Sequence, residues 1–408
     1  MRRLTLIALG LWLLSSAAAH AVFTKAEMDT VDPEPLLDSE YLLDLIGFSY
    51  PLDWIRDFET SKSSAAYRAN GASLDCCALL FEQDVRLSRR LADKLSFRYD
   101  LRQMGDKELD DLHHWVSIEA GPWYGASIGL FGEPTPAKED ADIGLLLRHR
   151  PLPGVMVYAA RNAVDWNFNH RGRTAAKYLK APVTYEAGAE LARGDDRWRA
   201  WAEWDLPLVR TDPAANLTYA YRRTTAALRW SRLPVEDSAA GFDLLYRLEY
   251  KKEGALYAPD PSLASRDFRR TAHFLRAGGV LQLGAKDRME AGAGFWRRDA
   301  RTDVPGGGAG NRRLLRWEAE PYARWLRRVA PWFQWESAVF LGSGETRQEF
   351  PNAPAMAVYE RPVNAKLDQG AEFLFGERGR IAFRGSFDLD DLGRHLWDGG
   401  NIRVQLFF

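Results

Sequence analysis

The sequence contains little cysteine and no excess of charge. Its 408 residues include two cysteines, Cys76 and Cys77, which are too few for a disulfide framework or a cysteine-based zinc site. A strained disulfide between these neighbours is one interpretation, and two small residues entering a strand is the simpler one. The 55 lysine and arginine residues balance 56 aspartate and glutamate residues. The chain therefore lacks the strongly basic balance expected of a nucleic-acid-binding protein.

Long apolar runs are also missing beyond the first residues. The mean hydropathy is −0.36, whereas each span of a helical membrane protein needs about 20 consecutive apolar residues. The apolar run at residues 4–14 follows Arg2 and Arg3 and leads into small residues that end at Ala21. This order is typical of a secretory signal peptide, here residues 1–21. We expect an exported chain, since the run is too short for the alternative of a transmembrane anchor.

Residues 22–73 have a different character from the rest of the chain. Apolar residues recur at helical spacing over residues 36–46 and predict a short amphipathic helix. Residues 61–73 are rich in Ser, Ala, Gly and Asn, which favours a loop. We interpret 22–73 as a periplasmic or plug-like segment. An extra strand near residues 46–55 is the alternative.

From residue 74 onward, apolar and polar residues alternate. Residues 242–250 show the pattern well, because the even positions are Phe, Leu, Tyr, Leu and Tyr while the odd positions are mostly charged. Side chains of a strand point to opposite faces in turn, so each such segment has one apolar and one charged face. The same alternation occurs in residues 97–102, 198–206, 289–295, 315–325, 333–341, 365–375 and 381–389.

Strands of a soluble β-sandwich also alternate, but three features favour a membrane barrel. Many apolar faces begin or end with an aromatic residue, as Trp317 and Trp325 do, which is typical of the girdles at membrane interfaces. The strands reach about ten residues, enough for a tilted membrane-spanning strand. Short connections alternate with longer ones, as in barrels with periplasmic turns and external loops. The longer connections are expected at residues 167–180, 252–267, 298–311 and 344–356.

The carboxyl-terminal segment carries the most specific pattern. Its apolar positions are Ile402, Val404, Leu406 and Phe408. A closing strand with a terminal aromatic resembles the assembly signal of bacterial outer-membrane β-barrel proteins. This resemblance implies insertion by the barrel-assembly machinery and a location in the outer membrane of a Gram-negative cell envelope.

The predicted fold is all-β, a transmembrane antiparallel up-and-down β-barrel over residues 74–408. Dividing these residues by roughly 20 per strand and connection gives about 16 strands, with 14 to 18 as the range. Eighteen strands would require one before residue 74. An even number keeps both ends of the barrel on the periplasmic side.

The charged strand faces must line the lumen if the apolar faces meet lipid. The functional interpretation is a polar channel whose charges select solutes. The competing interpretation is that the charges pair between strands and only support the wall. Three aromatic residues are also expected to face inward: Trp201, Trp296 and Tyr322. One interpretation is a track on which sugars stack, and the simpler one is packing inside the lumen. The candidate lining residues are Arg98, Arg102, Arg199, Glu203, Arg247, Glu249, Arg316, Glu318, Arg324, Arg384 and Arg403.

The sequence shows no recognisable catalytic or cofactor-binding motif. His113 and His114 are adjacent and would point apart on a strand, and His395 lies near acidic residues without a serine motif. We therefore expect no catalytic residue, no metal and no cofactor. The leading hypothesis is a porin-like conduit for small polar solutes, saccharides or an exported polymer, with outer-membrane lipid as the other partner. A non-conducting receptor or structural component of an envelope export system is the alternative, and an outer-membrane enzyme comes third.

Overall fold

The computed structural model describes residues 65–74, 78–105, 110–133, 142–163, 177–180, 182–212, 217–232, 240–257, 266–304, 311–361, 363–389 and 397–407. The expected signal peptide, the helix at 36–46, Cys76, Cys77 and Phe408 lie outside the described residues. Within the described part of the chain, no helix is long and apolar enough to cross a membrane.

The described residues form one antiparallel sheet of 21 strands. The strands are β1 (Ala65–Leu74), β2 (Ala78–Ala92), β3 (Leu95–Gly105), β4 (Asp110–Trp123), β5 (Ala126–Glu133), β6 (Asp142–Leu152), β7 (Val155–Ala163), β8 (Lys177–Lys180), β9 (Val183–Arg193), β10 (Asp196–Asp205), β11 (Leu208–Asp212), β12 (Leu217–Arg232), β13 (Ala240–Tyr257), β14 (Arg266–Gln282), β15 (Asp287–Asp303), β16 (Arg312–Ala330), β17 (Phe333–Glu349), β18 (Val358–Glu360), β19 (Val363–Leu374), β20 (Gly379–Asp388) and β21 (Trp397–Phe407).

The first strand pairs with the last, which returns the hydrogen-bonded ladder to its start. β1 pairs with β2 along one edge and with β21 along the other, where Ala69 lies opposite Val404. All other neighbours are consecutive or nearly consecutive in the chain. This is the antiparallel up-and-down topology that the sequence predicted.

Eighteen strands make up the wall, because three short strands continue the line of a longer one. β11 follows β10, and both pair with β12. β8 precedes β9 and pairs with β11 as β9 pairs with β10. β18 precedes β19, and both pair with β17. Pro182 and Pro207 lie in two of these breaks, where proline cannot donate a ladder hydrogen bond. The count lies at the upper end of the predicted range.

The start of the barrel differs from the prediction. β1 begins at Ala65, so the boundary at residue 74 was wrong, and residues 65–73 of the loop predicted over 61–73 are strand. The strand was missed because its small residues, Ala, Gly, Asn and Ser, give a weak apolar alternation and usually indicate loops.

The two ends of the barrel carry different connections. Two-residue turns join β2 to β3, β4 to β5, β6 to β7 and β9 to β10, and β1 begins and β21 ends at this same end. The β4–β5 turn consists of Tyr124 and Gly125 with φ of 52° and 79°. We call this the turn end and the opposite one the loop end. Barrels of this type place short turns in the periplasm and longer loops outside.

Strands β12 to β17 are longer than expected. They contain 16 to 19 residues, whereas crossing the membrane takes about 10. The expected loops at 252–267, 298–311 and 344–356 are therefore partly strand, since β13 runs to Tyr257, β15 to Asp303 and β17 to Glu349. These strands must extend beyond the apolar layer at the loop end.

The exposed and buried faces are the reverse of those in a soluble protein. Large apolar side chains point outward, and Leu130 and Leu341 are 63% and 52% exposed. Ionic side chains point inward, and Arg324 and Glu290 are 1% and 2% exposed. A charge facing lipid is costly, whereas apolar side chains belong there. The fold is that of a transmembrane β-barrel, as the sequence predicted.

Candidate functional site: the inner face of the barrel

The inner face collects the charged side chains that alternate with the apolar ones. Residues opposite each other on neighbouring strands share a face, so the register carries this assignment from strand to strand. The side chain of Arg102 lies outside the described part of the chain. The other predicted lining residues lie on the inner face: Arg98, Arg199, Glu203, Arg247, Glu249, Arg316, Glu318, Arg324, Arg384 and Arg403.

A buried ion-pair network covers β15 to β20. Arg324 on β16 places Nη1 2.9 Å from Oε2 of Glu290 on β15 and Nη2 2.8 Å from Oε2 of Glu336 on β17. Nη2 of Arg384, on β20, lies 2.8 Å from the same Glu336 oxygen. One carboxylate therefore joins guanidinium groups from two different strands.

The contact between Arg384 and Glu336 crosses an intervening strand. Gly370 of β19 lies opposite Glu336 on one side and opposite Arg384 on the other. A Cβ atom at Gly370 would lie 3.0 Å from Cγ of Arg384. Because Gly370 has no side chain, Arg384 can extend across β19 to the carboxylate of Glu336.

A second carboxylate organises the last strands. Oε1 of Glu372 on β19 lies 3.4 Å from Nε of Arg380 on β20 and 3.8 Å from Nη2 of Arg403 on β21. Arg380 also donates to Gln405. The predicted lining residue Arg403 is therefore part of a buried pair in the wall.

Strands β12 to β14 repeat the arrangement. Asp243 on β13 accepts from Nε of Arg229 at 2.6 Å, and its second oxygen lies 3.7 Å from Arg276. Glu249 forms an ion pair with Arg270 and lies 3.9 Å from Arg247. Charges of both signs thus neutralise one another across neighbouring strands.

The opposite wall, β4 to β12, is more exposed. Arg223 on β12 lies 2.5 Å from Glu203 and 3.6 Å from Asp205, yet its side chain is 39% exposed. Arg148 pairs with Glu119, and both side chains remain partly exposed. Arg199 is exposed although it points inward. These side chains offer charge to the lumen, whereas most pairs of β15 to β21 are shielded, the partly exposed Arg316–Glu318 pair excepted. We call β4 to β12 the open wall and β15 to β21 the packed wall.

The inward aromatic residues mainly pack against other side chains. Trp296 is 4% exposed and has Arg298 and Arg316 at 5.7 Å and 5.4 Å from its ring. Tyr322 stacks on Phe340 with ring centroids 6.0 Å apart. Trp201 is half-buried on the open wall, 5.1 Å from the guanidinium of Arg199. Of the three, only Trp201 lies on the open wall.

Aromatic clusters mark both edges of the apolar exterior. At the turn end, Trp198 stacks on Trp230 at 4.5 Å. At the loop end, Tyr185 stacks on Trp204 at 5.8 Å. The indole N–H of Trp325 donates to Asp287 at 3.1 Å. Aromatic side chains with one polar atom suit a membrane–water interface.

The histidines whose side chains are described lie on the outer face. A 2.8 Å hydrogen bond joins Nδ1 of His114 to the hydroxyl of Tyr99, and a 2.9 Å bond joins His273 to Tyr246. His149 is exposed on β6. None of these three faces the lumen. The side chain of His113 and all of His395 are outside the described residues.

The last strand has the predicted alternation. Ile402 is 51% exposed on the outer face, while Arg403 and Gln405 are buried on the inner face. Val404 and Leu406 lie opposite Ala69 and Tyr67 of β1. The role of this strand as an assembly signal remains a prediction.

Several wall residues were missed by the sequence reasoning. Arg288 and Arg380 have ion-pair partners two and eight residues away. The partners of the others lie 14 to 33 residues away in the chain, and only the strand register reveals such pairs. The alternation in residues 217–232 could have identified Arg223 and Arg229. The missed residues are Arg148, Tyr158, Glu186, Arg223, Arg229, Arg270, Arg276, Arg288 and Arg380.

Comparison with known proteins shows similarity in architecture. No protein-family model and no curated protein matches the sequence. Outer-membrane expressed OmpT of Vibrio cholerae is 10% identical, with 85% of this chain and 99% of that chain covered and a TM-score of 0.39. OccK11 (OpdR) of Pseudomonas aeruginosa is 12% identical, with 85% and 96% covered and a TM-score of 0.39. A bacterial polysaccharide outer membrane secretin is 10% identical, with 85% and 99% covered and a TM-score of 0.36.

The location in the bacterial outer membrane, expected from the sequence, agrees with the apolar exterior. Because the TM-scores are below 0.5, only the chain's own surfaces bear on what passes through the barrel.

Proposed function

We propose that this protein is an outer-membrane barrel that conducts small polar solutes. The observation that supports this proposal most directly is the reversed distribution of side chains, with apolar residues outside and ionic residues inside. Barrels of 16 to 18 strands can enclose an aqueous channel, and this wall has eighteen. We also propose a transport role in place of a catalytic one, since the described histidines lie on the outer face.

The open wall is the proposed path of the solute. Arg148, Arg199 and Arg223 lie there with partly exposed guanidinium groups, beside Glu119 and Glu203. Both signs of charge occur along this wall, so we expect a water-filled path with weak ion selectivity. The packed wall would mainly support the barrel, because its charges are neutralised and shielded from water.

Single-channel recording tests this proposal. The purified full-length chain in a planar bilayer should give stepwise currents. Replacing Arg199 and Arg223 with glutamine removes two positive charges from the open wall and should shift the reversal potential in a salt gradient toward cation selectivity. Arg161, exposed on the outer face of β7, is the matched control, and Arg161→Gln should leave the reversal potential unchanged.

One observation favours a second candidate function. The dense pairing on the packed wall also suits a barrel that acts as a receptor or as a structural part of an envelope export system. A correctly folded chain that gives no current would reject the conduit and support this alternative. An unchanged reversal potential in the arginine variants would reject the open wall as the path.

A further inference from the structure

Five basic residues lie side by side on the outer face at the loop end. Each is directly opposite the next in the register of neighbouring strands. With strands about 4.8 Å apart, they form a line roughly 19 Å long. We call them the basic row, and they are Arg222 of β12, Lys252 of β13, Arg269 of β14, Arg301 of β15 and Arg313 of β16.

The basic row contains more positive charge than the described carboxylates around it balance. Like charges directly opposite one another destabilise a sheet. Asp267 lies 2.7 Å from Arg269 and 3.8 Å from Lys252. Asp303 lies 2.9 Å from Arg301, and Asp299 lies 3.6 Å from Arg313. Among the described residues, three carboxylates therefore lie within ion-pair distance of this row of five cations.

The next acidic residue along the strand register does not neutralise the remaining positive charge. Glu349 of β17 lies opposite Arg313, but its Oε1 is 2.6 Å from Nη2 of Arg347. Arg301 and Arg313 remain exposed, with 67% and 56% of their side chains accessible. The row is thus open to an anionic partner from outside.

An apolar surface lies below the row on the same strands, although Thr271 and His273 of β14 and Arg297 and Asp299 of β15 stand between the two. Tyr250, Leu275, Phe295 and Trp317 point outward between the row and the turn end. This surface meets the hydrocarbon chains of the membrane, which places the row at the level of the head groups. A partner that fits both surfaces must be an amphiphile with an anionic head.

We propose that the basic row binds the phosphate groups of a phosphorylated glycolipid in the outer leaflet. Arginine recognises phosphate through two parallel hydrogen bonds. A line of about 19 Å is longer than one phosphate can occupy, so a head group with at least two phosphates on a sugar core fits better than a zwitterionic phospholipid. The acyl chains would lie against Phe295 and Trp317. This site is independent of conduction through the lumen.

Lipid titration tests the site. The full-length protein in non-ionic detergent is titrated with a diphosphorylated, multi-acylated glucosamine disaccharide and with the same lipid after removal of both phosphates. We expect the phosphorylated form to bind at least about tenfold more tightly, since each basic residue near an anionic lipid contributes roughly fivefold. Equal affinity for the two lipids would overturn the proposal without any variant.

A triple variant locates the site. The variant should weaken binding of the phosphorylated lipid on the order of a hundredfold. It combines Arg269→Gln, Arg301→Gln and Arg313→Gln. The control triple replaces Arg89, Arg161 and Arg193 and should bind normally. These arginines are exposed on the outer face, and no basic residue of the described strands lies opposite them. Wild-type affinity in the row variant would reject the site. Displacement of the lipid by millimolar inorganic phosphate would show simple anion binding and would also reject the glycolipid.

Discussion

Arg324 and Glu336 form a 2.8 Å ion pair between β16 and β17 that is almost completely shielded from water. Their side chains are 1% and 3% exposed, and each has a further partner, Glu290 for the arginine and Arg384 for the glutamate. In a sequence with nearly equal numbers of acidic and basic residues, this chain of contacts allows ionic side chains to fill the inside of a barrel wall.

Removal of Arg324 should destabilise the barrel strongly. Arg324→Gln removes one buried arginine partner from both Glu290 and Glu336, which keep Arg288 and Arg384. Breaking a buried pair typically costs about 3–5 kcal/mol. The measurement is the free energy of unfolding in urea, followed by tryptophan fluorescence in detergent micelles. Arg223→Gln is the control, because its pair with Glu203 is partly exposed and should cost about 1 kcal/mol or less. Equal losses would contradict the contrast between the packed and open walls.

Two glycines on the inner face of β15 should respond differently to the same substitution. A Cβ atom at Gly292 would lie 2.5 Å from the carbonyl oxygen of Ala277 and 2.8 Å from the ring of Tyr322. Gly292→Ala should therefore cost about 1–3 kcal/mol of unfolding free energy. Gly294 has nothing within 4 Å of the added atom, so Gly294→Ala should be neutral or stabilise by about 0.5 kcal/mol. A neutral Gly292→Ala would mean that Tyr322 does not lie over that glycine.

Neighbouring residues on β4 provide a test of which face meets lipid. Ser117 points inward, whereas Ile118 points outward and is 45% exposed. With Cys76 and Cys77 replaced by serine, Ser117→Cys should react with a charged, water-soluble thiol reagent in reconstituted vesicles. Ile118→Cys should react at least about tenfold more slowly, because lipid covers it and a charged reagent cannot enter the apolar layer. Faster labelling at position 118 would indicate a soluble sheet.

Contact between the first and last strands can be trapped by a disulfide. Ala69 and Val404 are directly opposite each other, and opposite Cβ atoms lie about 4.5–5.5 Å apart. The double variant Ala69→Cys/Val404→Cys, without the native cysteines, should cross-link on mild oxidation and migrate differently on a denaturing gel. Ile381 lies opposite Val404 on its other side, so the control Ala69→Cys/Ile381→Cys should remain uncross-linked. The reverse result would place β1 elsewhere.

The alternation of the sequence predicted the faces of the strands but not the extent of every strand. It placed Arg324 inside and Trp325 outside correctly, because the membrane enforces a strict period of two. It failed at β1, whose small residues resemble a loop. It also failed above the apolar layer, where Arg301 and Asp303 are charged residues on an exposed strand face. There the outer face meets water or head groups, and the period of two disappears.

The partners in the ion pairs between strands could not be predicted from the sequence. Glu336 and Arg384 are 48 residues apart and lie on strands that are not adjacent. Their contact depends on the register of β17, β19 and β20 and on the small size of Gly370. The basic row depends in the same way on five strands being aligned to within one residue.

The unequal strand lengths make the wall higher on one side. β13 and β16 contain 18 and 19 residues, whereas β5 and β7 contain 8 and 9. A difference of about ten residues corresponds to roughly 30 Å along a strand, reduced somewhat by tilt. Among the described strands the rim of the sheet is therefore oblique, and its lower side lies above Arg148 and Glu119. A molecule that arrives from outside is expected to approach the lumen obliquely over this lower side. The longer strands on the opposite side would limit its approach from there.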